Sequence, residues 1–316
     1  MDWNLVLVAG LQIAPVFLNS KKTWMKLSEY IREANDNGAE LVTWGESLIP
    51  GYPFWLGASG AAAWDNADQK KTFSTYWREA IDLSNSSILS EMKKLAKELK
   101  IMMMGGIAEK VSGSTHATLI TINEKGEQIN RHRKLKPTYA ERLVWADGDG
   151  VGLKTVPFHG YKIGGLNCWE NWIPYARAAL HKQNEMFHVA VWPGNNHVTQ
   201  DITKFIAKEG RYWVLSVSGL IRTEDFADIS EKDFPVKKLL DIENKKGKFW
   251  QNGGSCIADP KGNFVQKPLI EKEEIIYADI DFMTVIEERQ NFDYSGHYSR
   301  FDIFNDPLKK NMNNSN

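Results

Sequence analysis

The feature that most constrains this chain is a succession of short apolar runs separated by segments of helical period. The runs are Leu5–Leu11, Leu41–Trp44, Ile101–Ile107, Ala117–Ile122, Ile163–Leu166, Phe187–Trp192, Tyr212–Val217 and Ile275–Ile280. Several are rich in Val and Ile and hardly alternate, as strands covered by helices do. Between them, Lys22–Asn35 carries Trp24, Leu27, Ile31 and Ala34 on one helical face. Ser84–Lys100 does the same with Ile88, Leu89, Met92, Leu95, Ala96 and Leu99, with lysines opposite. Asn37-Gly38 supplies a C-cap to the first helix. Asp259-Pro260-Lys261-Gly262 predicts a hairpin within Cys256–Val265. No linker rich in Pro, Gly or Ser interrupts the series and no solenoid repeat is present, so one α/β domain is expected.

Composition narrows the partners. The 316 residues are 42% hydrophobic and 25% charged with a net charge of −1, an ordinary globular balance without the basic excess that holds a nucleic acid. The apolar N-terminal stretch has Asp2 in place of a basic flank and is interrupted by Gln12 and Pro15, so it reads as a first core strand, neither a signal peptide nor a span. No other window is apolar enough to cross a membrane, and a soluble protein is expected. Two cysteines make no disulfide framework, and free thiols in a cytoplasmic setting are the expectation. The polar tail Lys309–Asn316 is expected to fray.

Three strand ends look alike: "ELVTWGES" delivers Glu46 after an apolar run, "INRHRKLKPT" delivers Lys134 among basic residues and "IGGLNCWE" delivers Cys168. A strand end presents a side chain that a strand middle would bury. Each also has an ordinary reading. A lone Cys is more often a small core filler, which suits Cys256 in its hairpin strand. Cys168 fits that reading less well, because Trp169-Glu170-Asn171 follow it and Gly164-Gly165 allow close backbone approach. Glu46 lies in "WGESLIPGYPFW", too apolar for a solvated loop. The basic cluster Arg131–Lys136 would ordinarily be an exposed charged strand. Other schemes have little support: no HExxH, CxxC, GxSxG or phosphate-binding loop occurs. His188 within "MFHVAVW" reads as a core histidine, and a Cys–His pair has no local support.

The blocks "GESLIPGYPFW" (Gly45–Trp55), "HRKLKPTYAERLVWADGDG" (His132–Gly150), "GGLNCWENW" (Gly164–Trp172) and "SGHYSRFDIF" (Ser295–Phe304) resemble, in order and over nearly the whole chain, the signature blocks of the nitrilase branch of the carbon–nitrogen hydrolase superfamily. The resemblance implies a four-layer αββα sandwich and a Glu–Lys–Cys triad at Glu46, Lys134 and Cys168. Lys134, in the Arg-Lys pair, is the family's lysine in preference to Lys136, and Glu141 matches a second family glutamate. Cys-Trp-Glu and the GHYSR block point to nitrilases over amidases. Trp44-Gly45-Glu46 and Asn171 depart from the commoner Phe-Pro-Glu and His of the branch, next to the triad.

The resemblance further implies hydrolysis of a nitrile to acid and ammonia through a cysteine thioimidate and thioester, with no metal or organic cofactor. An amidase-type hydrolase and a cyanide-degrading member of the same branch are the alternatives, and a filament-forming protein with lost catalysis is a third. Tyr52, Trp55, Trp169, Trp192 and Asn196 (or its neighbour Asn195) are candidate substrate contacts, and an aromatic wall would favour apolar or aryl nitriles. His297 and Arg300 are expected to anchor the C-terminal region. Residues 1–284 are expected to form the catalytic domain and 285–316 an interface-forming extension. A homodimer built across a helical face, extending to a higher homo-oligomer or spiral, is the implied assembly.

Overall fold

The structure, a computed structural model, describes residues 5–60, 62–242, 248–300 and 302–303. The apolar runs become the strands of two sheets. The first has the order β13-β1-β2-β3-β4-β5, built from Glu274–Ile280, Val6–Gln12, Leu41–Ile49, Met102–Val111, Ser114–Ile122 and Gln128–Arg133. The second runs β10-β11-β9-β8-β7-β6, from Leu220–Arg222, Phe249–Ala258, Trp213–Ser218, Phe187–Trp192, Tyr161–Asn167 and Val156–Phe158, with β12 (Phe264–Ile270) paired to β11. At the centre of each sheet the strands β1-β2-β3 and β7-β8-β9 are parallel, which is why their sequences alternate so little: both faces are covered.

The covering helices are α1 (Ser20–Asp36), α2 (Trp55–Ala58), α3 (Ala67–Glu79), α4 (Ser87–Leu99), α5 (Pro174–His181) and α6 (Asn196–Gly210). Helices α1 and α4 bury Trp24, Leu27, Ile31, Leu89, Met92 and Leu95 against the outer face of the first sheet. Between the sheets, Val8, Met104 and Leu119 meet Val189, Leu215 and Val217 in one apolar layer. Helix α6 packs Ile202 and Ile206 on the outer face of the second sheet, and α5 covers Leu166 with Ala176 and Leu180. The layers are therefore helix, sheet, sheet, helix, the αββα sandwich.

Local signals set the boundaries. Asn19 accepts the Lys22 N–H to open α1, and Gly38, at φ 93°, lies just beyond its C-cap, Asn37. Helix α4 starts at Ser87 with Ser86 as cap, later than the expected Ser84, because Ser84 is bound into a turn on the Asp82 carboxylate. The expected hairpin joins β11 and β12, with Asp259 Oδ1 accepting the N–H groups of Lys261 and Asn263. The helix Met283–Asn291 crosses the boundary expected at residue 284, burying Val285 and Arg289. Residues 309–316 lie outside the described residues. Among the described residues no helix is long and apolar enough to cross a membrane.

Candidate active site

Parallel strands point their C-terminal ends the same way, and the three reactive residues converge at that end. Glu46 lies within β2, not beyond it: the strand continues to Ile49, and the register with β3 breaks between Trp44 and Ile49. The break turns Ser47 to φ 52°. Gly45 meets the opposite sheet there, since a Cβ on it would fall 2.8 Å from Gly219 N and 2.9 Å from the Trp192 carbonyl oxygen. A residue with a side chain would push the sheets apart beside Glu46, which gives this departure from Phe-Pro-Glu a steric reason. Lys134 follows the last residue of β5, and Cys168 follows the last of β7. Cys168 itself has φ 50°, a left-handed turn that lifts its thiol off the strand line and that a non-glycine residue adopts only when its surroundings enforce it.

The groups form one tight cluster. One carboxylate oxygen from each of Glu46 and Glu141 and the Cys168 Sγ all lie within 4.8 Å of one another. Lys134 Nζ is 2.9 Å from Glu46 Oε1 and 2.7 Å from Glu141 Oε2, so the cation among these acids is an ammonium, and a metal ion would have to displace it. The Trp145 ring faces it, 5.5 Å from Nζ to the ring centre. The two carboxylates are held differently. Glu141 accepts from Lys134 Nζ, from the Thr138 N–H at 2.6 Å and from the Tyr52 hydroxyl at 2.8 Å. Glu46 is fully buried, and neither of its oxygens has a hydrogen-bond partner of good geometry among the described residues.

Electrostatics follow from this contrast. Burial pushes the Glu46 carboxyl up to about 8; Lys134 opposes the rise and Glu141 adds to it. Burial draws the Lys134 ammonium down, but the charges of Glu46, Cys168 and Glu141 outweigh it and hold it above its ordinary range. Burial also pushes the Cys168 thiol well up, against the pull of Lys134. A thiol that keeps its proton thus stands beside a carboxyl poised near neutral pH with free lone pairs. Cys256 is buried on β11, its thiol pushed up to about 12 by burial and donating to Thr203 Oγ1 at 3.6 Å; it is a core filler.

Two supports hold the cluster. Glu170 joins the strand ends from the two sheets, accepting the Leu135 N–H at 2.6 Å, the Asn167 N–H at 2.9 Å and His132 Nε2 at 3.0 Å. Burial pushes its carboxyl up, yet His132 and the two backbone donors hold it below its ordinary range. Beneath the nucleophile, Asn171 Nδ2 donates to the Cys168 carbonyl at 2.9 Å, and its Oδ1 meets His188 Nε2 at 2.8 Å. His188 is the core histidine its sequence setting predicts, buried and paired to Glu185 at 2.8 Å. The Glu170 carboxylate receives donors on both oxygens, so Glu170→Gln leaves one N–H facing an NH2 group. The expected result is a loss of about 1–3 kcal/mol of stability with a fall in kcat, read by chemical denaturation and steady-state kinetics. Wild-type values for both would remove Glu170 from this role.

A cavity of about 330 Å³ opens onto Cys168 and Glu141, walled by Tyr52, Phe54, Trp169 and Trp250 among others. Tyr52 and Trp169 are therefore at the cavity; Trp55, Trp192 and Asn196 are not. Trp55 is one residue past Phe54 on the turn into α2 and faces inward, packed edge-on against Phe17, Tyr76 and Phe234. Trp192 is buried under α6, its indole N–H donating to Ser216 Oγ at 3.4 Å. Asn196 turns toward β11, its N–H donating to Asn252 at 3.2 Å, and the cavity takes its neighbour Asn195. Trp250 and Gln251, on a strand without any motif, complete the wall. Another hollow, of about 410 Å³, lies at the opposite strand ends by Glu40, Lys100 and His159 and holds no nucleophile. His297 and Arg300 pair locally, with Asp293 at 4.0 Å and Asp302 at 2.9 Å.

Comparison with known proteins gives the same outline. The family model described as carbon–nitrogen hydrolase matches residues 7–290. The chain is 31% identical to an aliphatic nitrilase of Rhodococcus rhodochrous over 313 residues, covering 95% of this chain and 81% of that protein. It is also 31% identical to an arylacetonitrilase of Aspergillus niger, covering 94% and 90%. In fold it is similar to a carbon–nitrogen hydrolase from Helicobacter pylori G27, with a TM-score of 0.71 at 17% identity over 98% of this chain and all of that one.

Proposed function

The chain belongs to the carbon–nitrogen hydrolase family, a hydrolase of carbon–nitrogen bonds, and from that premise we propose that it converts an organic nitrile to the carboxylic acid and ammonia. The observation that carries the reading is the cluster itself: a thiol, a carboxylate with free lone pairs and an ammonium within bonding reach of one point.

Each group has one task. Ionised Glu46 takes the Cys168 proton as sulfur attacks the cyano carbon. Negative charge develops on the substrate nitrogen, and Lys134 donates a proton to it; Lys134 is then reprotonated from Glu46. The product of this step is a thioimidate. Water gives a proton to Glu46 and adds to the same carbon, and that proton passes to the nitrogen; as the hydroxyl becomes the thioester carbonyl its proton follows by the same route, the C–N bond breaks and nitrogen leaves as ammonia. A second water, activated in the same way, cleaves the resulting thioester and restores the thiol. Two waters are consumed for each nitrile. Breaking the C–S bond one step earlier would release an amide instead. Glu141, which accepts from three donors, holds Lys134 and Tyr52 in place.

The test is ammonia release and product identification on a panel of aliphatic, aryl and arylaceto nitriles, cyanide and the matching amides, with Cys168→Ala as control. Acid and ammonia from a nitrile, absent from the control, is the expected result. Turnover confined to amides moves the chain to the amidase reading, and silence on all substrates overturns the enzymatic proposal.

Assembly as a homodimer is part of the same proposal. Trp169 and Trp172 stack at 5.9 Å and remain exposed, as do Tyr175 and Phe205. The Arg177 guanidinium lies over the Phe205 ring, 5.5 Å from its centre. An apolar face of this kind on α5 and α6 suits a second copy of the chain. Light scattering after size-exclusion chromatography is expected to give at least a dimer, weakened in Tyr175→Asp; a monomeric wild type would end the idea.

A further inference from the structure

The cavity wall speaks to the part of the substrate that does not react, and this inference rests on the nitrilase reading. Two carboxamides face the cavity, Asn195 before α6 and Gln251 on β11. Gln251 is buried, and its Oε1 has no hydrogen-bond partner among the described residues. Asn195 occupies the N-cap of α6 without capping it: its side chain bonds to no N–H of the helix, and its φ is 76°. Gly194, the residue before Asn195, packs against Gln251, since a Cβ on it would lie 2.7 Å from that of Gln251, so the two carboxamides line the same part of the chain's approach to the cavity.

The rest of the wall away from the triad is mainly apolar, with Phe54, Leu56, Trp169, Val198 and Trp250. The charged side chain in it, Glu141, already accepts from Lys134, Thr138 and Tyr52. Away from the triad no lysine or arginine lines the cavity among the described residues, so a charged substrate tail would find no ion-pair partner among them. A carboxamide both donates and accepts, and it leaves free energy unrecovered until something bonds to it.

We infer that the substrate is a nitrile with an apolar body and an uncharged hydrogen-bonding group, a hydroxyl or carboxamide, and that Asn195 and Gln251 recognise that group. The aromatic walls hold the body, and the two carboxamides set the preference between polar and plain tails.

The experiment measures kcat/KM for hydroxyl-terminated and methyl-terminated nitriles matched in length, across a short series of chain lengths. Their amides are run in parallel, with wild type, Gln251→Met and Asn195→Gly, which keeps the left-handed backbone. Wild type is expected to favour the hydroxyl compound by at least about tenfold at one or more lengths, and each variant to bring the ratio toward one. Gln251→Met is expected to melt no lower than wild type, since it removes an unpaired buried polar atom.

Equal rates on both tails at every length, or a ratio untouched by both variants, overturns the inference. So does a Gln251→Met protein that melts lower and loses both substrates alike, which marks a structural residue. If only amides turn over, the nitrilase reading falls and the ratio is read on the amides. If nothing turns over, it is read as protection of Cys168 from iodoacetamide by each compound, with equal protection counting against the inference.

Discussion

Glu46→Gln is expected to lower kcat/KM by about a thousandfold or more, the range over which a positioned general base acts, while making the protein less sensitive to rising pH. Gln cannot take the Cys168 proton, and burial otherwise keeps that thiol protonated. In wild type the base becomes available as Glu46 ionises, so alkylation of Cys168 by iodoacetamide should rise with pH through about 8. In the variant that rise moves to higher pH. The stability sign follows from the same group. Its folded pKa is raised above the unfolded value, so its contribution is fully present below the unfolded value, near 4.5, and is lost as pH rises through about 8. Thermal melts between pH 6 and 9 should therefore fall in wild type relative to Glu46→Gln. His181, held down to about 3 by burial, acts the opposite way, stabilising above its unfolded pKa and losing that contribution as pH falls through about 3. It is common to both proteins and cancels in the difference. An alkylation profile identical in the two proteins would remove Glu46 as the base.

Lys134→Ala is expected to cost both activity and fold. It strips the cation from two buried carboxylates, and breaking a buried ion pair from one side costs about 3–5 kcal/mol. Part of that is recovered because Glu46, already bare of hydrogen bonds, takes up a proton. The loss should thus be smaller near pH 5 than near pH 8, and adding Glu46→Gln to Lys134→Met should restore much of the denaturation midpoint. Urea titrations of the single and double variants give the answer. A Lys134→Ala protein that unfolds with wild type would leave the lysine a chemical role alone.

What could be read beforehand divides along physical lines. Strands buried on both faces announce themselves as apolar runs, and β1, β8 and β13 lie within a residue or two of where those runs lie. Glu46 was legible as a reactive residue but not its place inside β2, since a register break leaves no mark in hydropathy. The triad and Glu141 stand in motif blocks, and the structure brings all four together. The wall was harder. Phe54 and Trp55 are equally aromatic neighbours, but successive residues on a tight turn point about 100° apart, so one lines the cavity and the other the core. Asn195 and Asn196 differ in the same way, by the backbone turn at Asn195. Trp250 and Gln251 arrive from a distant strand through sheet pairing, which no local pattern encodes. Glu170 was visible as a family marker, but two of its three donors, His132 and Leu135, come from a strand end of the other sheet that only folding brings to it.

The division of the cluster between layers reaches past the reaction step. Glu46 lies in the six-stranded sheet, Lys134 and Glu141 in the segment that leaves its last strand, and Cys168 just past a strand of the seven-stranded sheet, so neither half alone owns the whole cluster. A nascent or partly unfolded chain carries only an ordinary thiol, without its base or its cation, and reacts as sluggishly as any free cysteine. The cluster therefore exists only while the two sheets are docked and is lost when they part: an interlock between assembly and chemistry. In the same way, every turnover is a report that the sandwich is shut.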